Sequence, residues 1–301
     1  EAGLGELGAG AVEQFQRDGY VVVKNAVPLE LVTEAREWLE KEAPGWYALI
    51  KRPDDWRMHF LQRFPIAEER LPVPKHGVFL RLLLESPKLY GYVASLIGPP
   101  VGSFYTQIAR RTPGRGATAD VHDRPRDDRP GWDYHLDGQA NKSGARFPDH
   151  FSLLVGIALS DQTERDSGQL TVFPGTHQSH QWHDYPRVKL LRPNQRGQRA
   201  VPALPDLGAG EPVLLAEGDA VLVHPLLAHR GGYNYNLTKN RDICFLRCRS
   251  GAVSYQAPDR SHTFLDDPWS EFLTPPENSV AKVHISPKNS VLRISQQIEN
   301  G

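Results

Sequence analysis

Short apolar, β-branched runs separated by glycine- and proline-containing turns dominate the chain between residues 101 and 250. The clearest of these runs are Val101–Ala109, Phe151–Leu159, Ala220–Val223 and Asp242–Cys248. Each has the length and composition of a single β-strand. Strands joined directly by turns favour a double-sheet jelly roll over a fold built from βαβ units.

Helical patterns are more frequent before this region. Four helices are predicted there, at residues 12–19, 28–39, 78–84 and 87–97. Gly19 is suited to end the first helix and Pro28 to open the second, and the β-branched run Tyr20–Lys24 between them is a predicted strand. We therefore expect a mainly β protein with flanking helices.

A single domain of 301 residues is compatible with this pattern, because one large β-rich domain can reach that length. We expect an N-terminal helical and strand part over residues 1–100 and a jelly-roll core over 101–250. Residues 251–301 would form a C-terminal extension.

Charge and cysteine content exclude some classes of protein. The formal net charge is −1, from 35 basic and 36 acidic residues, so neither nucleic acid nor a membrane surface is expected as a partner.

The two cysteines, Cys244 and Cys248, have the even spacing of buried thiols on a strand, which favours an intracellular, cytoplasmic setting. No apolar run approaches the ~20 residues that a membrane span needs. The chain begins at Glu1 without Met, so organelle targeting is left open. The oligomeric state is left open as well.

A pair of metal-binding residue types stands at His135 and Asp137. Residues two apart on a strand point to the same face, so this imidazole and carboxylate would converge. Such a pair is frequent by chance, but a later segment offers a further imidazole at His224 or His229. Two histidines and one carboxylate form the facial triad that holds non-haem Fe(II) and leaves positions open for substrates.

The segment Arg110–Pro130 mixes six arginines with four aspartates and is interrupted by glycine and proline. A long connection without secondary structure inside a compact domain is typically a lid or a binding loop. Its position immediately before His135 favours a mobile lid, and a solvated connector is the alternative.

The chain resembles the phytanoyl-CoA dioxygenase family of Fe(II)/2-oxoglutarate oxygenases. The resemblance rests on an ordered set of segments over roughly residues 12–248. These are Phe15…Asp18-Gly19-Tyr20-Val21-Val22, the His135/Asp137 pair, Gly168…Pro174-Gly175-Thr176-His177, His183-Asp184-Tyr185-Pro186, Gly218-Asp219…His224-Pro225-Leu226-Leu227-Ala228-His229, Asn234 and Arg241.

The resemblance implies a double-stranded β-helix (jelly-roll) core and the iron ligands His135, Asp137 and His229. It also implies that Arg241 binds the distal carboxylate of 2-oxoglutarate through a bidentate guanidinium. Arg241 follows His229 by 12 positions, one more than the family leads us to expect, so Lys239 is the alternative anchor.

Other family positions are less well determined by the sequence. Gln107 is expected to line the cosubstrate pocket or to be an ordinary sheet residue. Gly156 stands where close relatives have a bulky aromatic residue, which leaves the shape of the pocket open. Family register favours His229 over His224 as the distal ligand, and His177 is expected to serve a turn.

The implied activity is oxidation of a small-molecule substrate with Fe(II), 2-oxoglutarate and O2. Hydroxylation of an aliphatic carbon would release succinate and CO2, and an acyl-CoA or a carboxylic acid is a possible substrate. A halogenase would lack the carboxylate ligand, and Asp137 argues against it. A non-catalytic metal- or ligand-binding jelly roll is the alternative, although such a protein would be expected to lose a ligand or the arginine.

Overall fold

The computed structural model describes most of the predicted core. It covers residues 7–47, 58–65, 77–111, 134–137, 151–178, 206–232, 234–236, 238–250 and 267–273. The helices are α1 (Ala9–Asp18), α2 (Leu29–Tyr47), α3 (Gly77–Leu84) and α4 (Pro87–Ile97). The strands are β1 (Tyr20–Val23), β2 (Met58–Pro65), β3 (Pro100–Arg111), β4 (Leu153–Ala158), β5 (Leu170–Val172), β6 (Glu211–Pro212), β7 (Ala220–Val223), β8 (His229–Gly231) and β9 (Arg241–Ser250).

Two antiparallel sheets form the centre of the fold. The larger has the order β1-β7-β4-β9-β3-β2 and the smaller has the order β6-β5-β8. An antiparallel bridge between His135 and His229 adds a further extended segment beside β8. Apart from the pairs β2–β3 and β5–β6, neighbouring strands are not consecutive in sequence, as in a jelly roll. The predicted double-stranded β-helix with flanking helices is confirmed.

The two faces of the larger sheet have different partners. On β9, Cys244, Leu246 and Cys248 belong to a core that also contains buried residues of the four helices. Ile243 lies on the opposite face of β9. It packs in a second core with residues of β7, from the larger sheet, and of β5, from the smaller sheet. This alternation follows from the two-residue period of a strand. Odd-numbered residues of β9 therefore face the space between the sheets.

The predicted end of α1 at Gly19 is confirmed. Gly19 has φ 80° and its N–H donates to Phe15 O at 2.8 Å, which closes the last turn of the helix. A Cβ at this position would lie 2.5 Å from His177 Nδ1. Glycine is required here both for the backbone conformation and for the contact with His177.

Asp219 belongs to one of the segments that resemble the family, and its role is to hold a turn of the fold. Its buried carboxylate accepts hydrogen bonds from Lys24 Nζ and from the backbone N–H groups of Asn25 and Ala216, each at 2.8 Å. The preceding Gly218 has φ 82°. Together the two residues join the end of β1 to the start of β7, so they position the sheet and do not contact the candidate site.

The predicted boundary between β3 and the following loop is wrong. Arg110 and Arg111 were expected to begin a loop but are the last two residues of β3. Arg110 lies on the helical side of the sheet, where it forms a salt bridge of 2.7 Å with Asp242 on β9. This buried ion pair extends the strand pairing beyond the apolar run that the sequence marks. Residues 112–130 of the predicted lid lie outside the described residues.

Candidate metal centre

The bridge between His135 and His229 brings two distant parts of the chain together. Each residue donates its backbone N–H to the carbonyl of the other, at 2.9 and 3.1 Å. Leu136, which points away from the pair, is fully buried in the core. Asp137 therefore returns to the same side as His135, as the i, i+2 spacing predicts.

The side chains of His135, Asp137 and His229 converge. Their candidate ligand atoms all lie within 4.8 Å of one another. His135 Nε2 is 3.5 Å from Asp137 Oδ1, and His229 Nε2 is 3.9 Å from Asp137 Oδ2. Metal–ligand bonds to such groups are about 2.0–2.2 Å, so the two histidine–aspartate pairs, at 3.5 and 3.9 Å, are each close enough to share one ion. Two imidazoles and one carboxylate form the facial donor set of non-haem Fe(II).

His229 is held as the neutral imidazole tautomer that can bind a metal through Nε2. Its Nδ1 lies 2.8 Å from the carbonyl oxygen of Leu227, so Nδ1–H donates there and the lone pair is on Nε2. Burial and the neighbouring His135 lower the pKa of His229 to about 4. The imidazole is therefore neutral at neutral pH. His135 has a side chain 43% exposed, so the centre opens to solvent on that side.

Arg247 is a site residue that the sequence reasoning missed. It projects from β9 and places its Nη2 2.5 Å from Asp137 Oδ2. Burial by itself would raise the pKa of Asp137, but the charge of Arg247 and the contacts with His135 and His229 hold it well below its usual range. Asp137 is thus ionised and oriented. The two-residue period on β9 places position 247 on the same face as 241, which was the available signal.

Gln107 supports Arg247. Its Oε1 accepts a hydrogen bond of 3.1 Å from Arg247 Nη1, and it lies on β3 opposite Phe245. The side chain therefore belongs to the network behind Asp137. Its predicted role in binding the cosubstrate stays a prediction.

Arg241 lies inside the jelly roll, at the start of β9. It is 2% exposed, and its Nε and Nη1 donate to Gly168 O at 2.5 Å and to Ala109 O at 3.1 Å. The alternative anchor Lys239 is exposed. The amide of Asn234 donates to the carbonyls of Arg111 and Lys239, at 2.8 and 2.9 Å. These bonds fix the short segment before Arg241.

His224 does not belong to the centre. Its Nδ1 accepts the Leu226 N–H at 3.1 Å, and its Nε2 therefore donates to Pro268 O at 2.9 Å. The ring stacks on Phe272 at 5.1 Å between centroids. His177, also buried, contacts Gln16 O through Nε2 at 3.0 Å. Both histidines are structural, as the family register predicts, whereas His122, His150 and His183 lie outside the described residues.

Phe245 occupies the space that Gly156 leaves. A Cβ at Gly156 would lie 3.0 Å from Phe245 Cε1 and 3.0 Å from Val221 Cγ1. The Phe245 ring on β9 therefore packs directly over Gly156 on the neighbouring β4. The expected effect of Gly156 on the shape of the pocket stays a prediction.

A jelly roll with two histidines and one aspartate converging at its opening defines a non-haem metal oxygenase. The comparisons with known proteins give the family. The family model for phytanoyl-CoA dioxygenase (PhyH) matches residues 15–241. The chain belongs to this family of Fe(II)/2-oxoglutarate-dependent dioxygenases, as its sequence motifs predict.

Individual relatives are distant. Peroxisomal phytanoyl-CoA dioxygenase of Mus musculus is 25% identical over 269 residues, which cover 83% of this chain and 70% of the mouse protein. The Rattus norvegicus protein is 26% identical over 240 residues, covering 73% and 62% respectively. A solved structure, the non-haem α-ketoglutarate-dependent carbocyclase SnoK from nogalamycin biosynthesis, shares the fold at 20% identity and a TM-score of 0.50, covering 85% of this chain and 90% of SnoK. In the part of the chain described above, no helix is long and apolar enough to cross a membrane.

Proposed function

We propose that this dioxygenase hydroxylates an aliphatic carbon of a small-molecule substrate and releases succinate and CO2. An acyl-CoA or a free carboxylic acid is the first substrate class to test. The observation that carries the proposal is the convergence of His135, Asp137 and His229, whose candidate ligand atoms lie within 4.8 Å of one another. A non-catalytic binding protein that holds no metal would not need all three donors in this arrangement.

His135, Asp137 and His229 would hold Fe(II) through one face and leave three positions for 2-oxoglutarate and O2. Bound Fe(II) with 2-oxoglutarate supplies the oxidising chemistry. The task of these residues is to hold the ion, and Arg247 keeps the Asp137 carboxylate ionised and oriented. The buried neutral His229 and the half-exposed His135 define an inner and an outer side of the centre.

Arg241 would bind the distal carboxylate of 2-oxoglutarate. A guanidinium has five N–H donors, and backbone carbonyls of the described residues take two of those of Arg241. The remaining donors can pair with a carboxylate, and the buried setting strengthens such a bond. Lys239 is too exposed to supply the same interaction.

Substrate would approach from the side of His135, where the centre is open to solvent. The arginine-rich residues 112–130 precede this ligand in sequence, and we propose that an arginine among them pairs with an anionic group of the substrate. Replacing Arg126 and Arg129 by alanine should then raise the KM for substrate while uncoupled 2-oxoglutarate turnover persists. Equal loss of coupled and uncoupled turnover would contradict a role in substrate binding.

One domain over residues 1–301 remains part of the proposal. Trp269 and Phe272 of the C-terminal part pack in the same core as Phe15 from α1, which supports it. An intracellular setting is proposed as well. Cys244 and Cys248 are buried free thiols whose pKa values are raised by burial, so neither is suited to a disulfide.

The proposal is tested by succinate release over a panel of acyl-CoAs, free carboxylic acids and amino acids. A substrate should raise succinate formation above the uncoupled rate and should gain one oxygen atom in equal amount. Asp137→Ala should abolish both signals, and Lys239→Ala serves as a matched control that leaves them unchanged. Oxidation that persists in Asp137→Ala would contradict the proposed centre.

A further inference from the structure

The two oxygens of the Asp137 carboxylate have different neighbours. Oδ1 lies 3.5 Å from Nε2 of His135, a candidate metal ligand. Oδ2 accepts a hydrogen bond of 2.5 Å from Nη2 of Arg247 and lies 3.9 Å from Nε2 of His229. The side chains of Arg247 and Asp137 are 12% and 15% exposed, so water screens their interaction only weakly. One carboxylate is therefore shared between the candidate metal position and a charged arginine.

Arg247 is held in this position from both sides. It lies on β9, the strand between β4 and β3, and is the cross-strand partner of Leu154 on β4. On the β3 side, Gln107 Oε1 accepts a hydrogen bond of 3.1 Å from Nη1. On the β4 side, the guanidinium carbon lies 5.6 Å from the centre of the Phe151 ring, within the range of a cation–π contact. These contacts restrict the guanidinium to the side of Asp137 that carries Oδ2.

A carboxylate can bind a metal ion through one oxygen or through both. The charge of Arg247 already rests on Oδ2 of Asp137. A metal ion on the same oxygen would bring a second positive charge beside the guanidinium, and the repulsion between the two is strong in a buried setting. Oδ1, on the side of His135, is therefore the oxygen that is left for the metal.

We propose that Arg247 restricts Asp137 to binding the metal through Oδ1 alone, and so keeps three positions of the metal open. The inference rests on the proposed metal centre and on its use of 2-oxoglutarate. A carboxylate bound through both oxygens would take one further position and leave two. Because 2-oxoglutarate would fill both of these, no position would remain for O2. Arg247 is thus a positioning residue that acts through Asp137.

The test counts the water molecules on a bound metal ion. Mn(II) is added to the protein without 2-oxoglutarate, and bound waters are counted from the broadening of its EPR signal in water labelled with a magnetic oxygen isotope. The unmodified protein should hold three waters on Mn(II), one in each open position. Arg247→Met, which removes the charge, should hold two because Oδ2 takes one position. Its Mn(II) affinity should fall by less than the 10- to 100-fold typical of removing a group that orients a ligand, since the second oxygen compensates.

Three further variants separate the charge of Arg247 from its packing. Arg247→Lys keeps a positive charge beside Oδ2 and should keep all three waters. Arg247→Gln has a neutral side chain and should lose one water, so it replaces Arg247→Met if that variant does not fold. Arg81→Met removes an exposed arginine and should leave the number of waters unchanged. Thermal unfolding first verifies that each variant is folded.

Three outcomes would overturn this role of Arg247 alone. A folded Arg247→Met protein that holds three waters, or that no longer binds Mn(II), would mean that the arginine only places the carboxylate as a whole. Two waters in the unmodified protein would mean that Asp137 binds through both oxygens beside Arg247. Two waters in Arg247→Lys would refute the argument from charge. An unmodified protein that binds neither Mn(II) nor Fe(II) would instead refute the proposed centre, and the inference with it.

Discussion

Replacing Arg247 by methionine isolates the contact that orients Asp137. The variant keeps most of the side-chain volume but removes the charge 2.5 Å from Asp137 Oδ2. Both side chains are largely buried, 12% and 15% exposed. Breaking a fully buried pair costs about 3–5 kcal/mol, and partial solvent access reduces this to about 2–4 kcal/mol. For a chain of this size, that corresponds to a Tm decrease of roughly 3–6 °C.

The assay is thermal unfolding of the metal-free protein, with and without added Fe(II) under anaerobic conditions. Fe(II) supplies a positive charge beside Asp137, so the difference between Arg247→Met and the unmodified protein should shrink when the metal is bound. Arg81→Met, which removes an exposed salt-bridge partner of Glu34 and Glu85, should cost less than about 1 kcal/mol.

A double-mutant cycle separates the pair from general packing. Arg247→Met combined with Asp137→Asn should cost less than the sum of the single changes by about 1 kcal/mol or more. Costs that add within about 0.5 kcal/mol, or an Arg247→Met protein as stable as Arg81→Met, would refute the reasoning.

Three further predictions concern pH, cosubstrate and pocket shape. The pKa values of three buried histidines are lowered: His177, His224 and His229. The unfolded chain protonates His177 and His229 near pH 6.5, whereas the folded chain resists protonation of each until about pH 4, so the metal-free protein should lose about 1.4 kcal/mol per pH unit for each of these two as the pH falls through that window. His224, whose pKa burial also lowers, should add to the loss in the same direction. Denaturant titrations at several pH values measure this, and a flat profile would contradict it. Arg241→Ala should weaken 2-oxoglutarate binding by about 1.5–3 kcal/mol while Lys239→Ala leaves it unchanged, as measured by the charge-transfer band; the reverse result would assign the anchor to Lys239. Gly156→Val should crowd the Phe245 ring and lower Tm by an amount corresponding to about 1–3 kcal/mol, and an unchanged Tm would show that the ring has room to move.

Much of the fold follows from local sequence patterns. The helix end at Gly19 and the strands at 220–223 and 242–248 are marked by turn residues and by β-branched runs. The end of β3 is not marked, because Arg110 is held in the strand by Asp242, a residue 132 positions away. Charged residues that pair across strands cannot be told from loop residues by composition.

The candidate site is likewise only partly predictable from the sequence. His135, Asp137 and the alternatives His224 and His229 are visible as residue types, and the family register separates the last two. In the structure, packing decides which of the two histidines joins the centre. His224 is held away from it by a hydrogen bond to Pro268 and by stacking on Phe272, both in the C-terminal part. Arg247 reaches Asp137 across 110 positions of sequence, and no local pattern gives that contact.

Anaerobic titration with Fe(II) and then 2-oxoglutarate tests the central claim most directly. The account predicts one Fe(II) per chain and a visible charge-transfer band, both lost in His135→Ala and in His229→Ala. His224→Gln, which changes a histidine of the core, should retain metal and band once its folding is verified. A band that survives in His229→Ala and disappears in a folded His224→Gln protein would contradict the assignment of the centre.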